Sequence, residues 1–298
     1  MWFSNSYFFK FTQPFEHSQE SLEKALSELK FTPCGAQDMS KFGWTSALGN
    51  NTSAFTHEAN GNILIRAKKE EKILPTSVIK DLTEEKVAAI EKAEGRPVKK
   101  KEKDQIKEDI MHSLLPQAFT KSSFIAGYID TNRQLLIINI SSKNKADDFM
   151  ALLRKAIGSL PLEPVRKDGS IELLLTHWLK DNALPKQFEL EMEAELKSPE
   201  EDGAIVRVKQ QDLTADEVRR HLETGKQVTK LALMWQERMT FIIQEDVCIK
   251  RIKFTDLVKE QNEDIPAEDK LAKLDADFTL MTAEFGEFFP YLIGEISE

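Results

Sequence analysis

Hydrophobic and polar positions along this chain repeat with two periods, and the places where the period changes mark its elements. Phe3, Tyr7, Phe8, Phe9 and Phe11 make residues 3–11 an aromatic-rich strand. Leu22, Ala25, Leu26 and Leu29 then fall at helical spacing, so residues 18–29 read as a helix. A loop with Pro33, Gly35 and Gly43 is expected next. Asn60-Gly61 is a strong hairpin-turn signal, and a strand over 63–67 is expected after it.

Residues 76–115 change character. Val78, Ile79, Leu82, Val87 and Ile90 fit one helix, and Ile106, Ile110 and Leu114 a second, with Gly95-Arg96-Pro97 breaking the pattern between them. Narrow apolar stripes on a highly charged background suggest a helical hairpin that projects from the body. Two strands (124–130 and 135–140) and helices over 146–157 and 170–180 are expected to follow. Strands are then expected at 188–196, 204–209, 228–235, 238–244 and 248–254. A helix over 215–223 interrupts them, with Thr214 as its N-cap. A last helix covers about 271–293, which Pro290 is expected to kink or end. Hairpin-like strand pairs in mixed order with helices predict an α+β fold with mixed or antiparallel sheets and packed helices, rather than a doubly wound parallel sheet. No internal repeat or low-complexity tract is visible.

The chain has 298 residues, 41% hydrophobic and 31% charged, which suits a globular protein of roughly two ~150-residue units. Cys34 and Cys248 are too few for a disulfide framework and suggest reduced thiols in a cytosolic protein. The start, Met1-Trp2-Phe3-Ser4-Asn5, lacks a basic region followed by an apolar stretch, so no secretory signal is expected. No apolar run approaches the ~20 residues of a membrane helix. The net charge is −9, but residues 260–298 hold eleven acids against Lys270 and Lys273, which accounts for the whole excess. The remainder, with 39 residues of each sign, is formally neutral, so net charge says little about any one face.

Catalytic patterns are absent: there is no P-loop, GxGxxG, GxSxG, HExxH or CxxC. His17, His57, His112, His177 and His221 stand singly, without a second ligand at metal spacing. Cys34 lies in a turn-like Pro33-Cys34-Gly35, where a small packed residue is a better account than a reactive thiol. The acids Glu260, Glu263, Asp264, Glu268 and Asp269 lack the order of a calcium loop and fit a solvated surface better than a metal site. No cofactor is expected.

The basic groups are more specific. Arg96, Lys99, Lys100, Lys101, Lys103 and Lys107 place six cations within twelve residues, opposed only by Glu102 and Asp104. On an exposed tip they attract phosphate and release its counterions; as a bare charge run they fit a solvated helix face equally well. Arg207 and Lys209, two apart on a strand, share a face, and Gln210 and Gln211 follow with hydrogen-bonding amides. Charged strand faces are commonly just solvent-exposed. Weaker runs are Arg66, Lys68, Lys69 and Lys72, and Lys250, Arg251 and Lys253. Phe119, after Leu114-Leu115-Pro116, sits at a helix exit near the basic tip, where it either packs in a core or contacts DNA or a partner subunit.

Several segments, in order, resemble the recombination-associated RdgC family. They are Phe31-Thr32-Pro33-Cys34-Gly35-Ala36-Gln37-Asp38-Met39, Lys69-Glu70-Glu71-Lys72-Ile73-Leu74-Pro75, His112-Ser113-Leu114-Leu115-Pro116, Leu152-Leu153-Arg154-Lys155 with Gly158-Ser159-Leu160-Pro161, Gln211-Asp212-Leu213-Thr214, Gln261-Asn262-Glu263-Asp264-Ile265 and Asp275-Ala276-Asp277-Phe278. The similarity runs from Trp2 to about Ile293. It implies a ring-shaped homodimer that encircles double-stranded DNA with little sequence preference and restrains the recombinase RecA, in the cytoplasm with the nucleoid. It also implies a division into a centre (1–75 with 116–160), a helical-hairpin tip (76–115) and a base (161–298). The family's gate and DNA-contact positions map onto Phe119, Gln210 and Gln211. Gln210 replaces a family lysine; Lys209, one residue earlier, compensates only if both reach the same surface, because a one-residue shift on a strand reverses the face.

The expected function is therefore a non-catalytic DNA clamp. Its DNA-binding candidates are Arg96, Lys99, Lys100, Lys101, Lys103, Phe119, Arg207, Lys209, Gln210 and Gln211, with the acidic C-terminal segment turned away from the DNA. The alternative is a protein that inhibits recombination by touching the recombinase filament, with DNA binding incidental. A third class is a metal-dependent nuclease using the acidic cluster. No membrane partner is expected.

Overall fold

The computed structural model describes residues 1–49, 52–165, 170–200, 202–266 and 268–297. Among these, twelve strands form one continuous antiparallel sheet in the order β2-β4-β5-β6-β1-β12-β11-β10-β8-β9, with β3 also on β4 and β7 also on β1. β1 (Asn5–Phe11) is the seam. Its first residues pair with β12 (Ile249–Phe254), while Tyr7–Lys10 pair with β6 (Leu135–Ile138) and Phe9–Phe11 with β7 (Leu162–Pro164). The chain is α+β, as the element order implied.

The first half of the sheet contains β2 (Ser40–Thr45), β3 (Thr56–Ala59), β4 (Asn62–Lys72), β5 (Thr120–Asp130) and β6. Asn60 and Gly61 both have positive φ at the β3–β4 turn, as their sequence signal requires. Period-2 alternation gives this half two buried faces. Ile63, Ile65, Ala67, Ile125 and Ile129 pack under α1 (Gln19–Glu28) and α4 (Lys143–Ile157), whose Leu22, Leu26, Phe149 and Leu153 are fully buried. Leu64, Tyr128 and Ile137 face the other way, into the larger core.

That larger core also covers one face of β8 (Phe188–Lys197), β9 (Ile205–Lys209), β10 (Gln227–Trp235), β11 (Met239–Gln244) and β12, against α5 (Ile171–Lys180) and α6 (Asp216–Glu223). The short α7 (Asp256–Lys259) leads to the long C-terminal helix α8 (Lys270–Ser297). Phe278, Met281, Phe285, Phe288, Phe289, Leu292 and Ile296 recur at helical spacing along α8 and are all buried. Phe278 meets Tyr128 and Phe289 meets Phe8 in the first half; Phe288 meets Trp235 and Phe241 in the second. α8 thus packs the two halves of the sheet onto one another.

Four sequence expectations are corrected. Residues 40–45 are a strand rather than a loop, and β7 was not anticipated. Thr214 does not cap α6; Ala215 holds that position and the Thr214 hydroxyl donates to Asp212 instead, at 2.7 Å. Pro290 does not end α8, because its ring lies on the exposed side while Phe288, Phe289, Leu292 and Ile296 anchor the helix before and after it. The sheet is antiparallel at every strand pairing.

Candidate nucleic-acid interface

The charged hairpin consists of α2 (Thr76–Glu94) and α3 (Lys100–Leu114), which pack chiefly against each other. Gly95 ends α2 in a left-handed conformation, φ +66°, which suits a residue without Cβ. Ile79, Thr83, Ile106 and Ile110 form a narrow internal seam. The turn between the helices puts Arg96 and Lys99 in solvent, and the first turn of α3 does the same for Lys100, Lys101 and Lys103. Arg96 differs from the lysines: it makes a two-pronged bond to Glu102, both N–O distances 2.9 Å, and also pairs with Glu94. These carboxylates hold the guanidinium well above its ordinary range. Lys99, Lys100, Lys101 and Lys103 have no ion pair among the described residues, so the lysines are the tip's free cations.

Phe119 lies at the opposite end. A single turn of 3-10 helix, Leu115–Gln117, leads from α3 to β5, and Phe119 is 84% exposed just before that strand. α3 has 15 residues, which at 1.5 Å each separates the root from the tip by about 22 Å. The sequence reading that placed Phe119 near the basic tip is therefore wrong in geometry: it marks the root. There its carbonyl accepts from the Ile73 amide at 2.8 Å, and Met39 accepts from Lys72 at 2.9 Å. Ile73 (47%) and Met39 (51%) are themselves exposed, so the root carries an apolar patch.

The third group borders the open face of the second half-sheet. Arg207 and Lys209 project from β9 away from buried Val208. Gln210 follows the strand with φ +54°, and this left-handed step brings it to the same cleft as Lys209, about 540 Å³ in volume. The two residues therefore share one surface, and the face reversal feared from sequence does not separate them. Gln211 is half-buried beside it. Arg207 Nε donates to Glu195 at 2.7 Å, and Lys230 pairs with the same carboxylate at 2.8 Å. Arg251, on β12, clasps Glu193 with both guanidinium nitrogens, one at 2.9 Å. Sequence marked Arg251 only as part of a weak basic run with Lys250 and Lys253, and did not mark Lys230, because strand pairing alone brings them near β9.

No hydrogen bond, ion pair or ring contact among the described residues joins tip, root and cleft. A further cation, Arg66, is half-buried with its guanidinium 4.1 Å from the Phe124 ring centre. Burial holds it below its ordinary range. Neither thiol resembles a nucleophile: burial pushes Cys248 up to about 12, and burial together with Glu70 and Asp38 raises Cys34. Among the described residues no three or more His, Cys, Asp or Glu side chains are grouped to hold a metal, and no helix is long and apolar enough to cross a membrane.

The C-terminal acids are partly consumed within the fold. Glu284 is buried and receives Arg238, at 2.7 Å from Nε. Asp277 takes the N-terminal amine at 2.9 Å, and Asp275 the His57 ring at 2.8 Å.

The chain matches, over residues 1–298, the family model described as "Putative exonuclease, RdgC". It is 48% identical over 296 residues to a protein of Tolumonas auensis and 49% identical over 296 residues to one of Aeromonas hydrophila, covering 99% of this chain and 98% of each relative. It is 50% identical over 297 residues to one of Colwellia psychrerythraea, covering 100% of this chain and 97% of that protein. All three relatives bear the name Recombination-associated protein RdgC.

Proposed function

This chain belongs to the RdgC family of recombination-associated proteins, and from that premise we propose that it is a non-catalytic clamp on duplex DNA. Two copies form a ring, the duplex passes through it, and occupancy of the DNA restrains RecA-driven strand exchange on the nucleoid. The observation that carries the reading is the projecting hairpin, whose tip holds Lys99, Lys100, Lys101 and Lys103 exposed and without an ion pair among the described residues. Phosphates occupy that position without reading sequence, since lysine contacts fix position but not base identity. The exposed root of Phe119, Ile73 and Met39 supports self-association, and we assign it to ring closure. In this reading residues 1–75 with 116–160 form the centre, 76–115 the tip and 161–298 the base.

The deciding measurement is duplex affinity across a salt series, on several unrelated sequences. The clamp gives a steeply falling log K against log salt, nearly the same for every sequence. A flat salt response, or strong preference for one sequence, sinks the reading.

The matching model's description favours one other reading, an exonuclease. The described residues supply no metal group for it. Prolonged incubation of end-labelled DNA with the protein and magnesium decides the matter: the clamp leaves the DNA intact, and metal-dependent shortening makes it an enzyme. Direct action on the recombinase filament is separated by a variant lacking DNA binding, which retains inhibition only if the filament is the target.

A further inference from the structure

The open face of the second half-sheet is organised in stripes. Glu193 and Glu195 stand two apart on β8 and point away from buried Ala194. On one side they face β9, where Glu193 is paired in register with Lys209 and Glu195 with Arg207. On the other side lie Lys230 of β10 and the basic strand β12. A register shift in the β11–β12 pairing places two residues, Lys250 and Arg251, between inward-facing Ile249 and Ile252, where a regular strand has one. The extra residue, Arg251, has φ +51° and reaches across β11 and β10 to Glu193. Ala232 and Ile242 lie between as an aliphatic floor, and Thr240, Lys253 and Gln210 complete the cleft wall.

Five cations (Arg207, Lys209, Lys230, Arg251 and Lys253) thus meet at one cleft and its immediate extension, where Glu191, Glu193 and Glu195 are the opposing charges. Lys209 and Lys253 have no ion pair among the described residues. Arg207 and Arg251 are paired, yet 66% and 56% exposed. The glutamates are only 14% and 28% exposed, but the guanidinium side of each pair is open to solvent, so an incoming phosphate can reach each arginine and exchange with its carboxylate. A phosphodiester backbone brings several anions at once and releases its counterions on binding, so it wins the exchange.

Taking Lys209 and Gln210 as the DNA contact already assigned here, we propose that Arg251 and Lys253 extend it across the cleft and that Glu193 and Glu195 are resident competitors, which hold Arg251 and Arg207 until a DNA phosphate displaces them. The inference rests on the clamp reading and adds to it a device that weakens DNA binding. A clamp that must move along or leave its duplex benefits from such a device: each carboxylate waits beside the cation that phosphate vacates.

The experiment is fluorescence anisotropy of the full chain with a labelled mixed-sequence duplex, over a salt series, in three proteins. Wild type is compared with Glu193→Gln/Glu195→Gln and with Arg251→Gln/Lys253→Gln, and thermal unfolding of each is recorded. The first variant is expected to bind about tenfold more tightly at ~0.1 M salt, with a salt slope steeper by about one to two. The second is expected to bind about tenfold more weakly. Unchanged or weaker binding by a folded glutamine variant overturns the competitor role. Wild-type affinity in Arg251→Gln/Lys253→Gln overturns the extension across the cleft, and decides it even if the first variant does not fold. Failure of the clamp reading looks different, because wild type itself then fails to bind duplex.

Discussion

A methyl group on Gly43 would lie 2.6 Å from Phe31 Cα and 2.7 Å from its nitrogen, with no flexible side chain to give way. The crowding arises because the chain beyond α1 crosses β2 closely: the Phe31 amide donates to Trp44 O at 2.8 Å, and the Trp44 amide to Leu29 O at 3.0 Å. Gly43→Ala is therefore expected to destabilise by about 2 kcal/mol, within the range for forced overpacking, read as a lower urea midpoint at unchanged slope. From sequence, Gly43 looked like loop punctuation beside Pro33 and Gly35. The missed signal was its aromatic flanks, Phe42 and Trp44, since a glycine between them marks close backbone approach as readily as a turn. The acids of the cleft give a second residue-level expectation. Arg251 holds the Glu193 carboxyl below its ordinary range; Glu195 is raised by burial, but Arg207 and Lys230 more than reverse this. A carboxylate depressed in the fold stabilises above its unfolded value, about pH 4.3, and that stability is lost as pH falls through the folded value. Glu193→Gln/Glu195→Gln should therefore lose less stability than wild type between pH 7 and pH 3.5, measured by denaturant titration at both values. An equal acid loss in both proteins removes these pairs from the account.

At the scale of elements, the hairpin was legible because everything that makes it is local. Its two apolar stripes, the Gly95 break and the lysine run all lie within forty residues of sequence. The cleft was not legible, because its charges come from four strands, β8, β9, β10 and β12, and meet only through antiparallel register. Cap and terminator signals failed where tertiary contacts outweighed them. Asp212 captured the Thr214 hydroxyl, and buried phenylalanines carried α8 past Pro290. The locality of the hairpin also makes it separable by mutation. Lys99→Ala/Lys100→Ala/Lys101→Ala replaces three exposed side chains with good helix formers, so stability should hold while duplex affinity falls about tenfold or more at ~0.1 M salt. The loss should be uniform across sequences and the salt slope shallower by up to about three. Sequence-dependent loss would mean that these lysines read bases, and unchanged affinity would remove the tip from the interface.

For the whole molecule, net charge proves a poor guide to where anions go. The acidic excess sits in residues 260–298, yet that segment builds the central core helix, where Glu284 and Asp277 pair with Arg238 and the N-terminal amine and Asp275 hydrogen-bonds the His57 ring. Lys99, Lys100, Lys101 and Lys103 make no ion pair among the described residues, so an acidic protein still presents a basic tip. If two copies close a ring through the Phe119 root, topology adds to electrostatics in a way that salt can separate. Raising the salt weakens the phosphate contacts but does not open the ring. Protein assembled on a covalently closed circle should therefore outlast a salt challenge that strips it from the same DNA once linearised, because a free end lets a ring slide off. Phe119→Ala, which removes the most exposed aromatic of the root, should lower dimer content in sedimentation and abolish the difference between circle and linear DNA. It should leave low-salt affinity per chain within about threefold, since no phosphate-binding cation is lost. Equal salt resistance on circular and linear DNA with wild type would refute encirclement while leaving the phosphate contacts standing.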